Sequence, residues 1–505
     1  MKYGTISTGS IEGLETAKHI FDAGGNAFDA AIATVFTSMT SEFALTGAAG
    51  GGTLIASIKN SAPIVYDFFV DSPKINSKNT NFKKIYVEFE DTSQAFYIGK
   101  GSIAIPGNIA GLLDVHQAHG KLPLNVILEP AIDIAKNGII LSSYQAYINS
   151  LIKPILLHTN EGKKLFTIND AFLQQGDKFK NPSFADFLFC LSKEGKNLFY
   201  IGDGAALIEK YFAKEGNITR SALKNYKVFK RDALQCTINN YSLFTNPAPS
   251  HGGTLITFLL KLLMKTNQLN SKMLNLVKSM ELTSHARNEF CKNINDEFEI
   301  NNILNNNILN KYIKLFKTND YNKLIQDLNG FGSTTHTSII DKKGNAVSVT
   351  TTNGEGSGHF IPEMGIMMNN MLGEEDLNPY GFHKWEKSRR LPTMISPTLI
   401  YKDNNLKYAL GSGGSNRIRS AISQVVINLL INKLSLKNAI HHPRMHIENN
   451  TIFAEPGLNL EEIKHLKHLK FQTFKNQNVF FGGVNAVGLS EAVGDQRRGG
   501  IGEIY

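Results

Sequence analysis

Gly332-Ser333-Thr334-Thr335-His336-Thr337-Ser338-Ile339-Ile340-Asp341-Lys342-Lys343-Gly344-Asn345-Ala346-Val347-Ser348-Val349-Thr350-Thr351-Thr352 is the stretch on which the reading of this chain turns. Apolar residues alternate on both sides of Lys343-Gly344, the pattern of two antiparallel strands joined by a short turn. A two-residue turn sets Lys342 opposite Asn345, and that register carries Thr334 to position 353, within one residue if a bulge intervenes. Thr352 and Asn353 then fall beside Thr334 across the ladder, where side chains interact. Threonine favours strands for packing reasons alone, so a plain Thr-rich strand is the simpler account of the hairpin by itself. Chemistry offers another. A threonine hydroxyl is a poor nucleophile without a base beside it, and cutting the chain before the residue frees its own α-amine for that role. Thr334 is read here as such a residue.

Working outward, a strand reading Tyr408-Ala409-Leu410 enters Gly411-Ser412-Gly413-Gly414-Ser415-Asn416. A helix follows with Ile418, Ala421, Ile422, Val425, Val426, Leu429 and Leu430 at helical spacing. Backbone N–H groups at such a helix start can hold an anion, including a transient oxyanion. The dinucleotide fingerprint wants a third glycine where Asn416 stands, and a phosphate loop wants Gly-Lys-Ser/Thr; neither is present. At the other end, helices over about Ile11 to Ala23 and around Phe28 to Met39 precede a glycine loop, Thr46 to Thr53, and strands Leu54 to Ile58 and Ile64 to Val70. The region from about Asp114 to Tyr321 reads as mostly helical, with an Asn-rich surface segment at 293–310. Helices flank strand pairs at both ends with no Pro- or Ser-rich linker, which predicts sheets covered by helices without separable modules.

Composition narrows the function classes. Of 505 residues, 42% are hydrophobic and 19% charged, the profile of a soluble globular protein. The net charge of +9 is spread along the chain, with no basic block interleaved with aromatics, so a nucleic-acid partner is not expected. Cys190, Cys236 and Cys291 are far apart and form no CxxC pair, which fits a reducing compartment. Met1 to Ser7 lacks the apolar core of a signal peptide, and apolar runs such as Leu255 to Leu260 and Val425 to Ile431 are too short to span a bilayer. A cytoplasmic protein without a membrane partner is the expectation. His441-His442-Pro443-Arg444-Met445-His446 does not have helix-borne metal spacing, and Pro443 interrupts a regular helix, so structural histidines are expected and no metal or other cofactor. Glu374-Glu375-Asp376 reads either as a solvated loop or as the seat of a substrate ammonium group.

Taken together these segments resemble the γ-glutamyltranspeptidase family of N-terminal-nucleophile hydrolases, in order and over nearly the whole chain. Gly24-Gly25-Asn26-Ala27-Phe28-Asp29-Ala30-Ala31 with the glycine loop is similar to the family's opening signature. Ile105-Pro106-Gly107 with Ala110-Gly111-Leu112, and Glu129-Pro130-Ala131 with Ala135-Lys136-Asn137-Gly138, resemble its next block. Thr334-Thr335-His336 with Asp341 to Val347 resembles the start of its small subunit, continued by Gly365-Ile366, Asn369-Asn370, Ser396-Pro397-Thr398 and Gly411-Ser412.

The resemblance implies an α+β, four-layer αββα fold. It implies self-cleavage between Ser333 and Thr334, so that 1–333 and 334–505 remain associated as a heterodimer within one catalytic unit and could assemble further. It implies that Thr334 Oγ1 is the nucleophile, that Thr352 hydrogen-bonds it, that Gly413 and Gly414 supply oxyanion donors, and that Asn353 contacts substrate. The substrate would be a small amide, its acyl group hydrolysed or passed to an amine. The pocket departs from the family pattern. An arginine that clamps the donor α-carboxylate is replaced within Asp67-Phe68-Phe69-Val70 by Phe69, which cannot make a bidentate ion pair. A paired serine motif appears as Thr393-Met394, a glutamine as Met371, and the ammonium-binding aspartate as Glu374, with Glu375 beside it. A γ-glutamyl donor is one expectation, a different carboxylate-bearing or oxo-acid amide a second, and a non-catalytic ligand-binding relative a third. Arg389, Arg390 and Arg417 are candidates for a replacement cation.

Overall fold

The computed structural model describes residues 2–74, 81–89, 92–269, 273–290, 299–318 and 333–505. Cys291, Tyr321, Gly332 and positions 293–298 of the Asn-rich segment lie outside them.

Two antiparallel sheets face each other. The first has seven strands in the spatial order Phe229–Asp232, Ile64–Phe68, Gly51–Ser57, Ala346–Thr352, Thr335–Asp341, Gly4–Thr8, Ile501–Ile504. The second has six, ordered Leu234–Ile238, Tyr241–Thr245, Thr398–Lys402, Asn405–Gly413, Gly483–Gly488, Ala492–Val493. Strand alternation sorts the side chains. Ile55, Val65, Ile340 and Ala346 of the first sheet meet Leu399, Ala409 and Val487 of the second. Their neighbours Leu54, Tyr66, Ile339 and Val347 pack on the opposite side against the helices Ile11–Asp22 and Ala27–Ser41. The second sheet carries Leu410, Val484 and Ala486 into a separate core with the helices His251–Lys265 and Arg417–Leu430. No helix among the described residues is long and apolar enough to cross a membrane.

The hairpin forms with one difference in its turn. Asp341 N–H donates to the Asn345 carbonyl, and the Asp341 carboxylate accepts from the N–H of Lys343 and of Asn345, which closes a three-residue loop, Lys342-Lys343-Gly344. Gly344 takes φ +85°, a conformation glycine adopts without strain. The extra loop residue moves the register by one from the two-residue expectation: Thr335 pairs with Thr351 and Ile340 with Ala346. Continuing it sets Thr334 opposite Thr352, so Asn353 is one step beyond.

Two other expectations change. The stretch read as mostly helical also contributes the strands 229–232, 234–238 and 241–245. The first two are edge strands and the third lies between 234–238 and 398–402; Cys236, Ile238 and Leu243 are buried in alternation with polar neighbours, over runs of only four or five residues. Gly411-Ser412-Gly413, read as loop, completes the strand Asn405–Gly413. These small residues have a packing reason: a Cβ on Gly411 would lie 2.3 Å from Cε1 of His336.

Candidate active site

The site forms where the first sheet ends beside the second. Thr352 pairs with Gly51, and Gly52 with Phe68, so Thr334, Thr352, the glycine loop and Phe69 gather at one end of the first sheet. The second sheet brings Gly413 to the same place: a Cβ there would lie 2.1 Å from the Thr334 carbonyl oxygen and 3.3 Å from Nη1 of Arg498. Gly413→Ala is therefore expected to push Thr334 out of register, stopping any reaction of that residue while leaving the distant core folded. Intact mass and a thermal melt on the same sample check this.

The sharpest contact lies at the peptide bond before Thr334. Thr352 Oγ1 donates to the Ser333 carbonyl oxygen at 2.5 Å, while the same hydroxyl oxygen accepts from Gly354 N–H at 3.0 Å. In this uncut chain Thr352 thus bonds the carbonyl of the Ser333–Thr334 bond, where the resemblance had pointed to the Thr334 hydroxyl. Ser333 N–H donates to Glu355 Oε1 at 3.3 Å. Asn370 Oδ1 accepts from the N–H of Glu355 and of Gly356, which fixes this turn. Burial and the nearby Asp376 push the Glu355 carboxyl up to about 8. On the other side of the strand Thr335 Oγ1 donates to Glu42, whose carboxyl burial pushes up to about 7. His336 is held between Thr350 and Ser338 hydroxyls at 2.7 and 2.8 Å, and burial lowers it to about 3, so it is a neutral structural imidazole.

The remaining sequence candidates divide. Glu374 lies against Gly354: a Cβ there would be 2.2 Å from Glu374 Oε1. Asp376 accepts from Ser415 Oγ at 2.7 Å, which ties the acidic loop to the residue after Gly414. Glu375 is partly exposed, and burial raises its carboxyl against the opposing charge of Lys84. Asn353 donates through Nδ2 to the Met367 carbonyl. Thr393 Oγ1 is engaged by Ile395 N–H of its own loop, and its carbonyl accepts from the start of the helix His251–Lys265. Phe69, Met371 and Met394 are buried in one apolar cluster with Leu391 and Ile395.

Two of the three candidate replacement cations are committed elsewhere. Arg390 pairs with Asp67 and Asp71 and donates to the Phe69 carbonyl at 2.6 Å, so it braces the main chain of the segment where the family's arginine stands. Arg417 pairs with Glu448 and lies over the Phe480 ring. Arg389 contributes its carbonyl to Ser72 N–H. Sequence reasoning missed Glu355 and Arg287, which donates to Asn416 Oδ1 and to the Asp376 carbonyl, and quoted Asn370 only as part of the resemblance, with no role. One signal was available for Glu355, which stands between Gly354 and Gly356, both at positive φ. The histidine-rich segment is structural where it is buried: His446 bonds Ser420 Oγ at 2.6 Å.

Mixed helix and sheet in this arrangement is the fold of the N-terminal-nucleophile hydrolases. The crystal structure of cephalosporin acylase from Bacillus halodurans matches it with a TM-score of 0.83 at 18% identity, covering 99% of this chain and 95% of that one. The chain belongs to the gamma-glutamyltranspeptidase family, whose sequence profile matches residues 14–505. It is similar to the capsule biosynthesis protein CapD proenzyme of Bacillus anthracis, 28% identical over 99% of this chain and 90% of that protein. It is also similar to a glutathione hydrolase proenzyme of Escherichia coli strain K12, 25% identical over 92% and 85%. The chain is accordingly an enzyme of acyl transfer or hydrolysis.

Proposed function

We propose that this enzyme matures by cutting itself before Thr334 and then hydrolyses or transfers the acyl group of a small amide through a threonyl ester. The observation that carries the reading is the Thr352 hydroxyl bonded to the Ser333 carbonyl oxygen. In maturation Thr334 Oγ1 adds to the Ser333 carbonyl carbon, and Thr352 stabilises the alkoxide that forms. The C–N bond breaks, the Oγ1 proton ends on the departing nitrogen, and water hydrolyses the resulting ester. The freed α-amine of Thr334 then serves as base for Oγ1, and Gly413 and Gly414 would supply the oxyanion donors. Two facing sheets covered by helices support the four-layer αββα reading, with 1–333 and 334–505 as associated fragments. Phe69, Met371 and Met394 in an apolar cluster favour a donor other than γ-glutamyl.

The test is the intact mass of the purified protein under denaturing conditions. Two fragments meeting at Ser333/Thr334 are expected; a single full-length chain after long incubation would sink the proposal. A pH measurement adds to it. Glu42 and Glu355 are raised from 4.5 to about 7 and about 8. Their contribution to stability is complete below the unfolded value and is lost as pH rises through those folded values. The melting temperature of an uncut variant is expected to fall from about pH 4.5 to about pH 8 and to level off above it, and Glu355→Gln to flatten that fall. A flat profile in the uncut variant itself would contradict the assignment.

A further inference from the structure

Three backbone groups around the Ser333–Thr334 bond are each met by a buried side chain. Glu355 Oε1 accepts from the Ser333 N–H at 3.3 Å, Thr352 Oγ1 donates to the Ser333 carbonyl oxygen, and Arg498 Nη1 donates to the Thr334 carbonyl oxygen at 3.5 Å. Glu355 is 1% exposed and Arg498 7%. The two outer groups are braced in turn. Asn370 Oδ1 takes the N–H of Glu355 and of Gly356, and Asn370 Nδ2 reaches the Tyr97 carbonyl at 3.4 Å, which ties the turn carrying Glu355 to the strand Thr92–Ile98. Arg498 Nε donates to the Val479 carbonyl.

The two outer contacts differ in one respect. Arg498 holds a group that stays with Thr334 after a cut, whereas Glu355 holds one on the departing side. Attack by Thr334 Oγ1 needs the Ser333 carbonyl carbon turned toward it while the oxygen stays on Thr352. Rotation of the Ser333 residue loses that alignment, and the bond from its N–H to Glu355 opposes the rotation. Charge enters as well. Glu355 faces Glu374 and Asp376, Arg287 and Arg417 act on Asp376, and Arg498 lies beyond the bond. Burial and Asp376 outweigh the Asn370 amide and the Ser333 N–H, and push the Glu355 carboxyl up to about 8. The neutral acid still accepts from an N–H; a carboxylate there would oppose the alkoxide forming on the same residue.

We infer that Glu355 is a positioning residue for self-cleavage, gripping the Ser333 N–H so that the scissile carbonyl stays on the Thr352 hydroxyl and in line with Thr334. It acts as the neutral acid. The inference rests on Thr334 as the nucleophile of that cut. The test is the time course of fragment formation in newly synthesised full-length chains placed at pH 6 to 9. Glu355→Leu, which offers no acceptor, should cut about 100-fold more slowly than wild type. Glu355→Gln keeps an acceptor and cannot ionise, so it should cut near the wild-type rate at pH 6. From pH 7 to pH 9 wild type should slow about 10-fold, as a carboxyl at about 8 ionises, while Glu355→Gln holds its rate. Equal rates in wild type and Glu355→Leu, equal slowing by both substitutions, or parallel pH profiles in wild type and Glu355→Gln would overturn the inference and leave Thr334 in place. Where Glu355→Leu does not fold, the pH profiles of wild type and Glu355→Gln decide alone. A wild-type chain that never cuts would remove both assignments.

Discussion

Replacing Thr334 by alanine is expected to leave one intact chain and to reduce turnover to background, a loss of about 10⁶-fold. The substitution removes only Oγ1 and a methyl group from a residue that is 4% exposed, in a sheet held by many other contacts, so the fold should persist. Two losses follow from one atom. Without Oγ1 nothing adds to the Ser333 carbonyl, and without that cut no α-amine appears. Wild type and variant should be compared by intact mass and by melting. A variant that still yields two fragments would remove Thr334 from the mechanism, and a variant that is whole yet active would show the cut to be incidental.

Thr352→Ala should act on the first reaction in particular. It deletes the hydroxyl that donates to the Ser333 carbonyl oxygen and leaves Gly354 N–H without its acceptor. Loss of one donor to a developing oxyanion costs about 10²- to 10³-fold in rate. Self-cleavage should therefore slow by that factor and still reach completion, whereas Thr334→Ala never cleaves. Thr352→Ser, which keeps the hydroxyl, should recover most of the rate. The time course of fragment formation measures it. Alanine and serine variants of equal rate would mean that the hydroxyl is only a structural partner of Gly354.

The legible parts of the fold were those with short-range grammar. Alternation around Lys343-Gly344 announced the hairpin, and the heptad-like spacing from Ile418 to Leu430 announced its helix. Both stand, because their apolar residues face a core that demands that periodicity. The register missed by one residue because the Asp341 carboxylate gathers two N–H groups into a longer loop, a side-chain effect that alternation does not encode. The strands at 229–245 were hidden because each is only four or five residues long, too short a run for its alternation to stand out. Within the site, Thr334 and Thr352 at the end of the first sheet stand together with Gly413 at the end of a strand of the second. The acidic neighbourhood could not be read. Glu355, Glu374 and Asp376 converge through loop conformation and the anchoring of Asn370, and their spacing carries no period to detect.

The order of strands has a mechanical consequence. In the first sheet, Ala346–Thr352 and Thr335–Asp341 sit between Gly51–Ser57 and Gly4–Thr8, and the C-terminal strand Ile501–Ile504 lies outside Gly4–Thr8. The N-terminal part of the chain therefore bonds the C-terminal part along three separate seams of that sheet. A single nick at 333/334 does not create two bodies that can drift apart. The halves can part only by tearing the ladder, which is unfolding. Molecules with isotopically distinct halves, mixed after maturation, should keep their original pairings for as long as they stay folded.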